Sequence, residues 1–380
     1  MDKHLTFARP ALDDHEAIYT YRDAAVGLEL HVAIHSTRLG PAIGGTRWLH
    51  YENSAMALAD AKRLSKAMSY KCALAGLPSG GGKAVIRAVA GRQSPQLLAS
   101  YGAFLNRIGD VFATGEDVGF SLDACEQLRA WTPFVAGTAS SGNGDPCEHT
   151  AVGVFHAISS LSDRLWPSRP ELAGRRVAIQ GLGGVGRRLA HMLADAGAEL
   201  IVADIDAAIV DGAVTKYNAV PVATETIHEV DVDIFAPCAL GGIINDKTVD
   251  AIRATAVVGA ANNQLSDVRL ADRLLAKGVI WAPDFVVNAG GVVGAAEEIA
   301  RMPGRLAPPD APIERRLAMI GERCGQLYDQ ARRQGVTIMS TAMENAERLM
   351  VGAANRTPDN ASRFLQTFVE NEMGHGDGND

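Results

Sequence analysis

The spacing of apolar residues changes character along the chain. Residues 52–70, ENSAMALADAKRLSKAMSY, carry apolar side chains at steps of three and four, which predicts a helix with Asn53 or Ser54 as its N-cap. From about residue 174, almost continuously apolar runs alternate with helical stretches, namely RRVAIQ, ELIVADI, VDIFAP, TAVVGAA and GVIWAPD. Such runs are typical of a parallel sheet buried on both faces, so we predict a doubly wound second half. The first half is also α/β, but its pattern does not give the strand order.

Length and composition narrow the class of protein. A chain of 380 residues exceeds the size of one hydrophobic core, so two domains are expected. A net charge of −8 and dispersed basic residues give no electrostatic case for nucleic acid. No apolar run reaches the roughly 18 residues of a membrane helix, and the N-terminal segment lacks the apolar centre of a signal peptide. The five cysteines form no CxxC pair, which favours reduced thiols in the cytoplasm.

A nucleotide-binding motif follows the first apolar run of the second half. Gly181, Gly183 and Gly186 have the GxGxxG spacing between a predicted strand and a predicted helix. Gly181 would make the tight turn, Gly183 would let the backbone approach a pyrophosphate, and Gly186 would let the helix pack on the sheet. Asp204 ends the next strand and can accept a hydrogen bond from a ribose 2′-hydroxyl, so the sequence predicts NAD rather than NADP.

Polar residues collect where several of these strands end. One strand closes with Asn262 and Asn263, another is followed by APCALGG, and NAGG at 288–291 follows a third. Each asparagine alone could be a turn former. Because ligands of doubly wound sheets lie beyond the carboxyl ends of the strands, the cluster favours ligand contacts.

The first half contains a candidate acid–base group. Three glycines, Gly80 to Gly82, deliver Lys83 to an apolar strand-like run, and Lys71 lies at the end of the predicted helix. The run after Lys83 is not that of a phosphate-binding loop, which needs Ser or Thr after its lysine. A lysine in apolar surroundings loses affinity for its proton and can act as a base, whereas a charged one binds a carboxylate. Asp117, in TGEDVG, supplies an acid. Each charge alone is more often a solvated surface residue, but the glycine-rich settings favour a site.

Several motifs together resemble a known family. GPAIGGTR, YKCALAGLPSGGGKAVI, TGEDVG, DIFAPCALGGIIN, GAANNQL and NAGGV resemble the leucine, phenylalanine and valine dehydrogenases, relatives of glutamate dehydrogenase. The resemblance implies a substrate domain over 1–145 with 345–373 returning to it, a Rossmann NAD-binding domain over 146–344, an active site between the domains, and a disordered tail at 374–380. It also implies oxidative deamination of an L-amino acid to a 2-oxo acid and ammonia with reduction of NAD, in a cytoplasmic homo-oligomer. No metal is implied.

The same resemblance implies residue roles. Lys71, helped by the amide of Asn288, would hold the substrate carboxylate. Lys83 would activate the attacking water, and Asp117 would move protons to and from the substrate nitrogen. The backbone of Gly44 and Gly45 would approach the substrate, which would explain the missing side chains there. The remaining positions would contact the cofactor: Thr150, Gly181, Leu182, Gly183, Gly184, Val185, Gly186, Asp204, Ile205, Cys238, Ala239 and Asn262.

Some positions depart from the family pattern and bear on the substrate. Phe120 stands where relatives have Thr, and Glu148 and His149 precede Thr150 where relatives carry smaller or apolar residues. VIRAVAGRQSP lacks the Asp-Pro that ends the corresponding strand in relatives. His149 is interpreted as a loop residue rather than a catalyst.

Two residues are predicted to adjoin the substrate side chain, Ile43 and Gly115. Gly115 resembles the phenylalanine type, in contrast to the alanine of the leucine type, whereas Glu116 resembles the leucine type. Because Gly115 acts sterically, the sequence favours phenylalanine or a similar aromatic substrate over leucine and valine.

Two other functions would also use a dinucleotide-binding motif. A non-catalytic NAD-binding regulator on the same scaffold would not need Lys71, Lys83 and Asp117 together. A 2-hydroxy acid dehydrogenase would use a histidine–carboxylate relay and an arginine, and no such set stands out.

Overall fold

The chain folds into two compact units. The computed structural model describes residues 3–8, 14–88, 93–137, 145–307 and 310–354. The first unit takes in residues 1–144, 295–310 and 346–380, and the second takes in residues 145–294 and 311–345.

Both units are α/β, with a sheet in each. The strands are β1 (Lys3–Ala8), β2 (Ala17–Asp23), β3 (Leu28–Ser36), β4 (Ala42–Ile43), β5 (Thr46–Leu49), β6 (Gly80–Arg87), β7 (Phe112–Ala113), β8 (Arg176–Gln180), β9 (Glu199–Ala203), β10 (Val220–Pro221), β11 (Ile234–Pro237), β12 (Ala256–Val257) and β13 (Ile280–Trp281). The helices are α1 (Ser54–Leu74), α2 (Pro95–Ile108), α3 (Leu122–Arg129), α4 (Pro146–Leu165), α5 (Gly186–Asp195), α6 (Ala207–Tyr217), α7 (Leu270–Ala276), α8 (Asp284–Val287), α9 (Gly290–Gly294), α10 (Ala296–Ala300), α11 (Ile313–Gln334) and α12 (Ile338–Ala354). Short 3₁₀ turns lie at Gly109–Val111 and Ile227–Glu229.

The sheet of the first unit is mixed. Its order is β1-β2-β3-β6-β4-β7, with β5 also paired to β6. The pairs β1–β2, β2–β3 and β3–β6 are antiparallel, whereas β4 and β5 run parallel to β6. Strand β6 therefore has antiparallel and parallel partners, and its eight residues include Lys83. This sheet has the strand order that the hydrophobic pattern did not give.

Helix α1 occupies the segment predicted as a helix. Asn53 caps it by accepting a hydrogen bond from the Met56 amide at 3.0 Å. The helix extends to Leu74, four residues beyond the predicted end, because Cys72, Ala73 and Leu74 continue the buried face. Lys71 therefore lies inside the last turn of α1 rather than just after it.

The sheet of the second unit is parallel throughout. Its order is β10-β9-β8-β11-β12-β13, the doubly wound order with the first strand of the unit in the middle. The five apolar runs of the sequence correspond to β8, β9, β11, β12 and β13, so the predicted fold class is confirmed. The hydrophobic pattern missed β10, because this two-residue edge strand is exposed at both positions.

Residues 295–310 group with the first unit, whereas the sequence analysis places them in 146–344. The reason lies in polar contacts of two side chains. Glu298 accepts hydrogen bonds from the Arg129 guanidinium at 3.0 Å and from the Gly137 amide at 2.7 Å. Arg305 donates to the carbonyls of Pro41 and Ala42 at 2.7 and 3.0 Å.

The C-terminal part of α12 also belongs to the first unit, since 346–354 fall within it and Tyr70 donates a hydrogen bond to Glu347 at 2.8 Å. The rest of the predicted return, 355–373, and the predicted disordered tail, 374–380, lie outside the described residues.

Within the described ranges, none of the helices has the length and apolarity needed to cross a membrane. The same part of the chain contains no cluster of His, Cys, Asp and Glu that could hold a metal ion. All five cysteines are described, and none forms a disulfide.

Candidate functional site

Lys83 and Asp117 form a buried ion pair in the first unit. Lys83 projects from β6, and its Nζ lies 2.8 Å from Oδ2 of Asp117. Only 8% of the Lys83 side chain and 15% of the Asp117 side chain are exposed. Asp117 is held by a tight turn, since its backbone exchanges hydrogen bonds with that of Phe120 at 2.9 and 3.3 Å. The structure thus brings together two residues that are 34 positions apart in the sequence.

The environment of this pair alters both proton affinities. Burial lowers the pKa of the Lys83 ammonium below its ordinary value, and the adjacent carboxylate of Asp117 opposes that shift. Burial alone would raise the pKa of Asp117, but the cations of Lys83 and Arg47 outweigh it, so the net pKa of Asp117 is lowered. A carboxylate kept charged beside a lysine with weakened proton affinity is an arrangement suited to proton transfer.

Sequence reasoning missed two residues of this site, Arg47 and Asp60. Arg47, on β5, donates from Nε to Asp117 and from Nη1 to Asp60 of α1, both at 3.0 Å. Asp60 also accepts hydrogen bonds from Tyr51 at 2.7 Å and Arg63 at 2.6 Å. Arg47 is the last residue of the motif GPAIGGTR, two residues after Gly45. Its place in this motif is the sequence feature that could have indicated its role in the site.

The glycines before Lys83 lie in the strand itself, which corrects the sequence interpretation. Gly80, Gly81 and Gly82 are the first three residues of β6 and not a loop. A Cβ on Gly81 would lie 2.1 Å from the backbone nitrogen of Ser69 in α1, and one on Gly80 would lie 2.0 Å from the Ser36 carbonyl. A Cβ on Gly82 would lie 2.7 Å from the ring of Phe112. These glycines make room for neighbouring parts of the protein, and the close contact of Gly81 lets α1 pack directly on β6.

Gly44 and Gly45 have a similar structural reason. A Cβ on Gly44 would lie 1.8 Å from the Gly82 carbonyl, and one on Gly45 would lie 2.2 Å from the Glu116 carbonyl. Gly82 precedes Lys83 and Glu116 precedes Asp117 in the chain. Close packing against these two neighbours therefore explains the missing side chains without any ligand. Ile43 is 4% exposed and pairs in the sheet with Gly81 and Ala113.

Two further residues predicted to bind the substrate, Lys71 and Gly115, belong to segments that contact β5 or β6. Lys71 is half-buried in the last turn of α1, two residues after Ser69, which packs on β6. Gly115 is half-buried, and its carbonyl accepts a hydrogen bond from the Thr46 amide at 2.9 Å.

Phe120, which departs from the family pattern, is a core residue. It is 0% exposed and packs edge-on against Tyr101, with ring centroids 6.2 Å apart. Its burial anchors the turn that carries Asp117 in the hydrophobic core of the first unit.

The glycine motif of the second unit connects β8 to α5. Gly181 has φ +92°, a conformation that favours glycine, and a Cβ on it would lie 2.8 Å from Ala239. A Cβ on Gly186 would lie 1.9 Å from the Gly181 carbonyl, so this glycine allows the helix to begin close to the turn. A Cβ on Gly183 would meet nothing within 4 Å among the described residues, which leaves the backbone there accessible to a ligand. Val185, at the start of α5, provides no side-chain cap.

Asp204 follows β9 and faces the same turn. Its carboxylate accepts hydrogen bonds from the Leu182 amide at 2.6 Å and from the Asp206 amide at 3.0 Å. Ile205, beside it, is 96% exposed. Gly184 lies against Cys147 of α4, since its Cβ would come within 2.7 Å of the sulfur. An accessible backbone, an uncapped helix start and an acid at the next strand end fit the pyrophosphate and ribose of a dinucleotide.

The predicted residues at the other strand ends also lie close together. Cys238 follows β11, where its amide donates to Gln180 of β8 at 2.7 Å, and burial raises the pKa of its thiol to about 11. Asn288 donates from Nδ2 to the Ala260 carbonyl at 3.0 Å and to Oδ1 of Asn262 at 2.8 Å. Its Oδ1 is buried without a hydrogen-bond partner among the described residues. A carboxylate ligand would require Asn288 to give up one of its two donor bonds.

Helix α4 brings three more of the singled-out residues to this unit's α9. Thr150 donates from Oγ1 to the Pro146 carbonyl at 2.8 Å, and a Cβ on Gly291 would lie 3.2 Å from the same hydroxyl. His149 lies in α4 rather than in a loop, and its ring occupies the space where Gly294 lacks a side chain. Glu148 is exposed in the first turn of α4, where a negative charge is favourable.

Comparisons with known proteins agree with this fold and these motifs. Residues 20–125 match the Glu/Leu/Phe/Val dehydrogenase dimerisation domain, and residues 209–356 match the Glutamate/Leucine/Phenylalanine/Valine dehydrogenase family. The chain is 38% identical to a phenylalanine dehydrogenase of Lysinibacillus sphaericus over 351 residues, which is 90% of each chain. It is 38% identical to a leucine dehydrogenase of Bacillus subtilis over 289 residues, 75% of this chain and 79% of the relative.

A solved structure gives the same answer at the level of the fold. The crystal structure of L-tryptophan dehydrogenase from Nostoc punctiforme aligns with a TM-score of 0.78 and 35% identity, covering 90% of this chain and 98% of the other. The two-unit fold and the named relatives identify an amino acid dehydrogenase. The chain belongs to the Glu/Leu/Phe/Val dehydrogenase family, which confirms the resemblance found in its motifs.

Proposed function

We propose that the protein is an NAD-dependent L-amino acid dehydrogenase that converts a large apolar L-amino acid reversibly into its 2-oxo acid and ammonia. The observation that carries this proposal is the buried Lys83–Asp117 pair, with 2.8 Å between Nζ and Oδ2. Burying two charges is costly, so a protein that used this region only for packing would gain more from apolar residues. An acid–base pair whose lysine lies within a glycine-rich strand instead suits a reaction with several proton transfers.

The reaction needs two kinds of chemistry. A bound NAD would supply the hydride acceptor: the hydrogen on the substrate Cα would leave with its electron pair after the ammonium group had given a proton to Asp117, so that the substrate would become an iminium. Lys83, in its neutral form, takes a proton from the water whose oxygen adds to that carbon. Asp117 carries protons to and from the substrate nitrogen, so that the C–N bond breaks and ammonia leaves. Each residue thus acts on a different atom of the substrate.

Substrate binding is assigned to the cationic and backbone groups around this pair. Lys71 of the first unit would hold the carboxylate as a counter-charge. Asn288, which belongs to the second unit, stays a predicted hydrogen-bond donor to the same carboxylate. The backbone at Gly44 and Gly45 contacts the bound amino acid. Ile43 and Gly115 adjoin its side chain.

Cofactor binding is assigned to the second unit. The accessible backbone at Gly183 and the start of α5 bind the pyrophosphate, and Asp204 accepts from the ribose 2′-hydroxyl. Ile205, whose side chain is exposed, would contact the neighbouring part of the nucleotide. The cofactor also contacts the residues at the carboxyl ends of β11 and β12 and the start of α4: Cys238, Ala239, Asn262 and Thr150. The first unit is accordingly the substrate domain, and the second is the NAD-binding domain.

An aromatic substrate is favoured over leucine and valine. Relatives of this chain include proteins named phenylalanine, L-tryptophan, leucine and valine dehydrogenase, all acting on apolar amino acids by their names. We assign this preference to Gly115, because alanine there would narrow the proposed side-chain pocket. We further propose a cytoplasmic homo-oligomer, which the dimerisation domain named by the family model and the absence of disulfides support.

A panel of single L-amino acids with NAD or NADP, followed by the absorbance of the reduced cofactor, tests the activity. We expect turnover of apolar L-amino acids, with phenylalanine best, and none of their D-isomers. Lys71→Ala should raise KM by about tenfold or more, because the substrate carboxylate loses its counter-charge. The matched control is Lys66→Ala on the same helix, whose lysine pairs with Asp14.

Two outcomes would contradict the proposal. NAD binding without turnover of any amino acid would support the non-catalytic regulator instead. Turnover of 2-hydroxy acids but not of amino acids would move the protein to the other class of dehydrogenase.

A further inference from the structure

Arg47 donates hydrogen bonds to two carboxylates that belong to different elements. Among the hydrogen bonds that the structure describes, no other side chain of the candidate site does so. Its Nε donates to Asp117, in the turn after β7, and its Nη1 donates to Asp60, in α1. Both distances are 3.0 Å, and 11% of the Arg47 side chain is exposed. The guanidinium therefore links the turn that carries the carboxylate to the helix that packs on the lysine's strand.

The backbone around Arg47 fixes the same arrangement. Strand β5 pairs in parallel with β6, with Arg47 opposite Val85, so Arg47 and Lys83 project from the same face of the sheet. The flanking amides of Thr46 and Trp48 donate to the carbonyls of Gly115 and Val118, both at 2.9 Å. Strand β5 thus binds the segment that carries Asp117 on both sides of Arg47. The Arg47 side chain therefore has little freedom to move away from Asp117.

The geometry suits arginine and not lysine. A planar guanidinium presents donors in different directions and can hold two carboxylates at once, whereas an ammonium on a flexible stem is a single point charge. Asp60 is itself held by Tyr51 and Arg63, at 2.7 and 2.6 Å, so the anchor at the far end of Arg47 is fixed as well.

From this geometry we propose that Arg47 is a positioning residue for the acid–base pair. It holds the carboxylate of Asp117 against Lys83, and Asp60 holds Arg47 in turn. The inference rests on the proposed function, in which Lys83 and Asp117 carry out the proton transfers. In this inference Arg47 acts through Asp117 and not on the substrate.

The charges around Lys83 and Asp117 determine in which direction each variant should shift their pKa values. Besides the two members of the pair, the groups that interact with it are Arg47 of β5, Tyr51 between β5 and α1, and Asp60 of α1. Arg63 contacts Asp60, and the exposed Glu116 directly precedes Asp117. The cation of Arg47 lowers the pKa of both Lys83 and Asp117, whereas the anion of Asp60 raises that of Lys83. Loss of Arg47 should therefore raise the pKa of Lys83, and loss of the Asp60 charge should lower it.

Four variants separate positioning from general stability. Arg47→Met removes the positive charge and keeps much of the side-chain volume. Arg47→Lys keeps the charge but cannot donate to both carboxylates at once. Asp60→Asn removes the negative charge of the carboxylate that holds Arg47. Arg87→Met is the matched control, because Arg87 lies on β6 on the same face as Lys83 but bonds to Glu29 and to the carbonyls of Tyr51 and Glu52. For each full-length variant, thermal unfolding and NAD binding are measured first.

The first readout is the pH profile of kcat/KM for amino acid oxidation. Because the neutral form of Lys83 is the active one, the acid limb follows the pKa of this residue. Arg47→Met should move the limb upward by about one pH unit, and Asp60→Asn should move it downward. Arg47→Lys should keep the limb close to that of the wild type while kcat falls. The limb of Arg87→Met should not move.

The second readout does not depend on activity. ¹³C NMR of the carboxyl carbons, with Asp117→Asn used to assign the signal, gives the pKa of Asp117 directly. Arg47→Met should raise it by about one unit or more, and Arg87→Met should leave it in place. If Arg47→Met does not fold, Arg47→Gln, which also removes the charge, supplies the same measurement.

The outcomes distinguish the inference from the function. Shifts of opposite sign in Arg47→Met and Asp60→Asn exclude a general loosening of the fold, and a lower kcat with an unmoved acid limb in Arg47→Lys supports positioning. Lower stability with neither shift would overturn the inference and leave the dehydrogenase activity standing. A wild-type protein without amino acid turnover, but with the Asp117 shift in Arg47→Met, would overturn the proposed function and leave the contact of Arg47 with Asp117 standing.

Discussion

The two candidate sites are constructed in opposite ways. In the first unit, the site consists of side chains from β5, β6, α1 and the turn after β7, which hold one another through charge: Lys83, Asp117, Arg47 and Asp60. In the second unit, the part of the site proposed for the pyrophosphate and ribose lies in one continuous segment from β8 to Asp204 and consists mainly of backbone. The first site should therefore be sensitive to the removal of charge, and the second to the addition of a single methyl group.

The largest effect that tests this difference is the loss of Lys83. Lys83→Met should reduce kcat by about a hundred- to ten-thousand-fold, because the reaction loses its general base while the volume is nearly kept. Stopped-flow and steady-state assays on the wild-type substrate measure the loss, and a fluorescence titration with NAD should show unchanged binding. Retention of more than about a tenth of the wild-type kcat, a loss below roughly 1.4 kcal/mol, would rule out the role.

Added methyl groups test the second site. Gly186→Ala places a Cβ 1.9 Å from the Gly181 carbonyl and should destabilise the protein by about 1–3 kcal/mol or more. Gly183→Ala is the matched control, because its Cβ meets nothing within 4 Å among the described residues. It should leave the unfolding free energy unchanged and still weaken NAD binding, which calorimetry measures. Equal stability losses in both variants would contradict the description of Gly183 as open to a ligand.

The difference between the sites also explains what the sequence could predict. Gly181, Gly183, Gly186 and Asp204 lie in one segment, and their spacing alone shows that a strand, a tight turn and a helix follow one another. The links of Arg47 to Asp60 and Asp117 span 13 and 70 positions, and no local pattern indicates such pairs. The residues Lys83 and Asp117 could be predicted because their motifs resemble a family, but the bond between them could not.

The fold shows the same limit. The parallel sheet was predictable because each buried strand is an apolar run, whereas β10 is exposed and gave no signal. In the first unit, β4 and β7 have two residues each, and their place in the sheet depends on pairing with distant β6 and β4. The three glycines of β6 look like a loop in the sequence because glycine is rare in strands. Only the closeness of Ser36, Ser69 and Phe112 shows why a strand needs them.

A smaller effect concerns the charge in the second site. The wild type should prefer NAD over NADP by about tenfold or more in kcat/KM, because Asp204 repels a 2′-phosphate. Asp204→Asn should narrow this ratio. The control is Asp206→Asn, two residues further on, where the carboxylate caps α6 by accepting from the Ala208 amide at 3.0 Å. Comparable values for both cofactors in the wild type would show that Asp204 serves only to hold the Leu182 amide.

The smallest effect should come from adding one methyl group to the first site, at Gly115. A Cβ there would lie 2.9 Å from the Ala136 carbonyl, so alanine has to displace that backbone slightly while it narrows the proposed side-chain pocket. A difference of one methyl group gives about 1–3 kcal/mol of discrimination at most, so Gly115→Ala should raise the ratio of kcat/KM for leucine to that for phenylalanine by several-fold to about tenfold. Assays with phenylalanine, leucine and valine measure this ratio. An equal loss for all three substrates would mean that the methyl group only moved Ala136. A wild type with a higher kcat/KM for leucine or valine than for phenylalanine would overturn the aromatic preference itself.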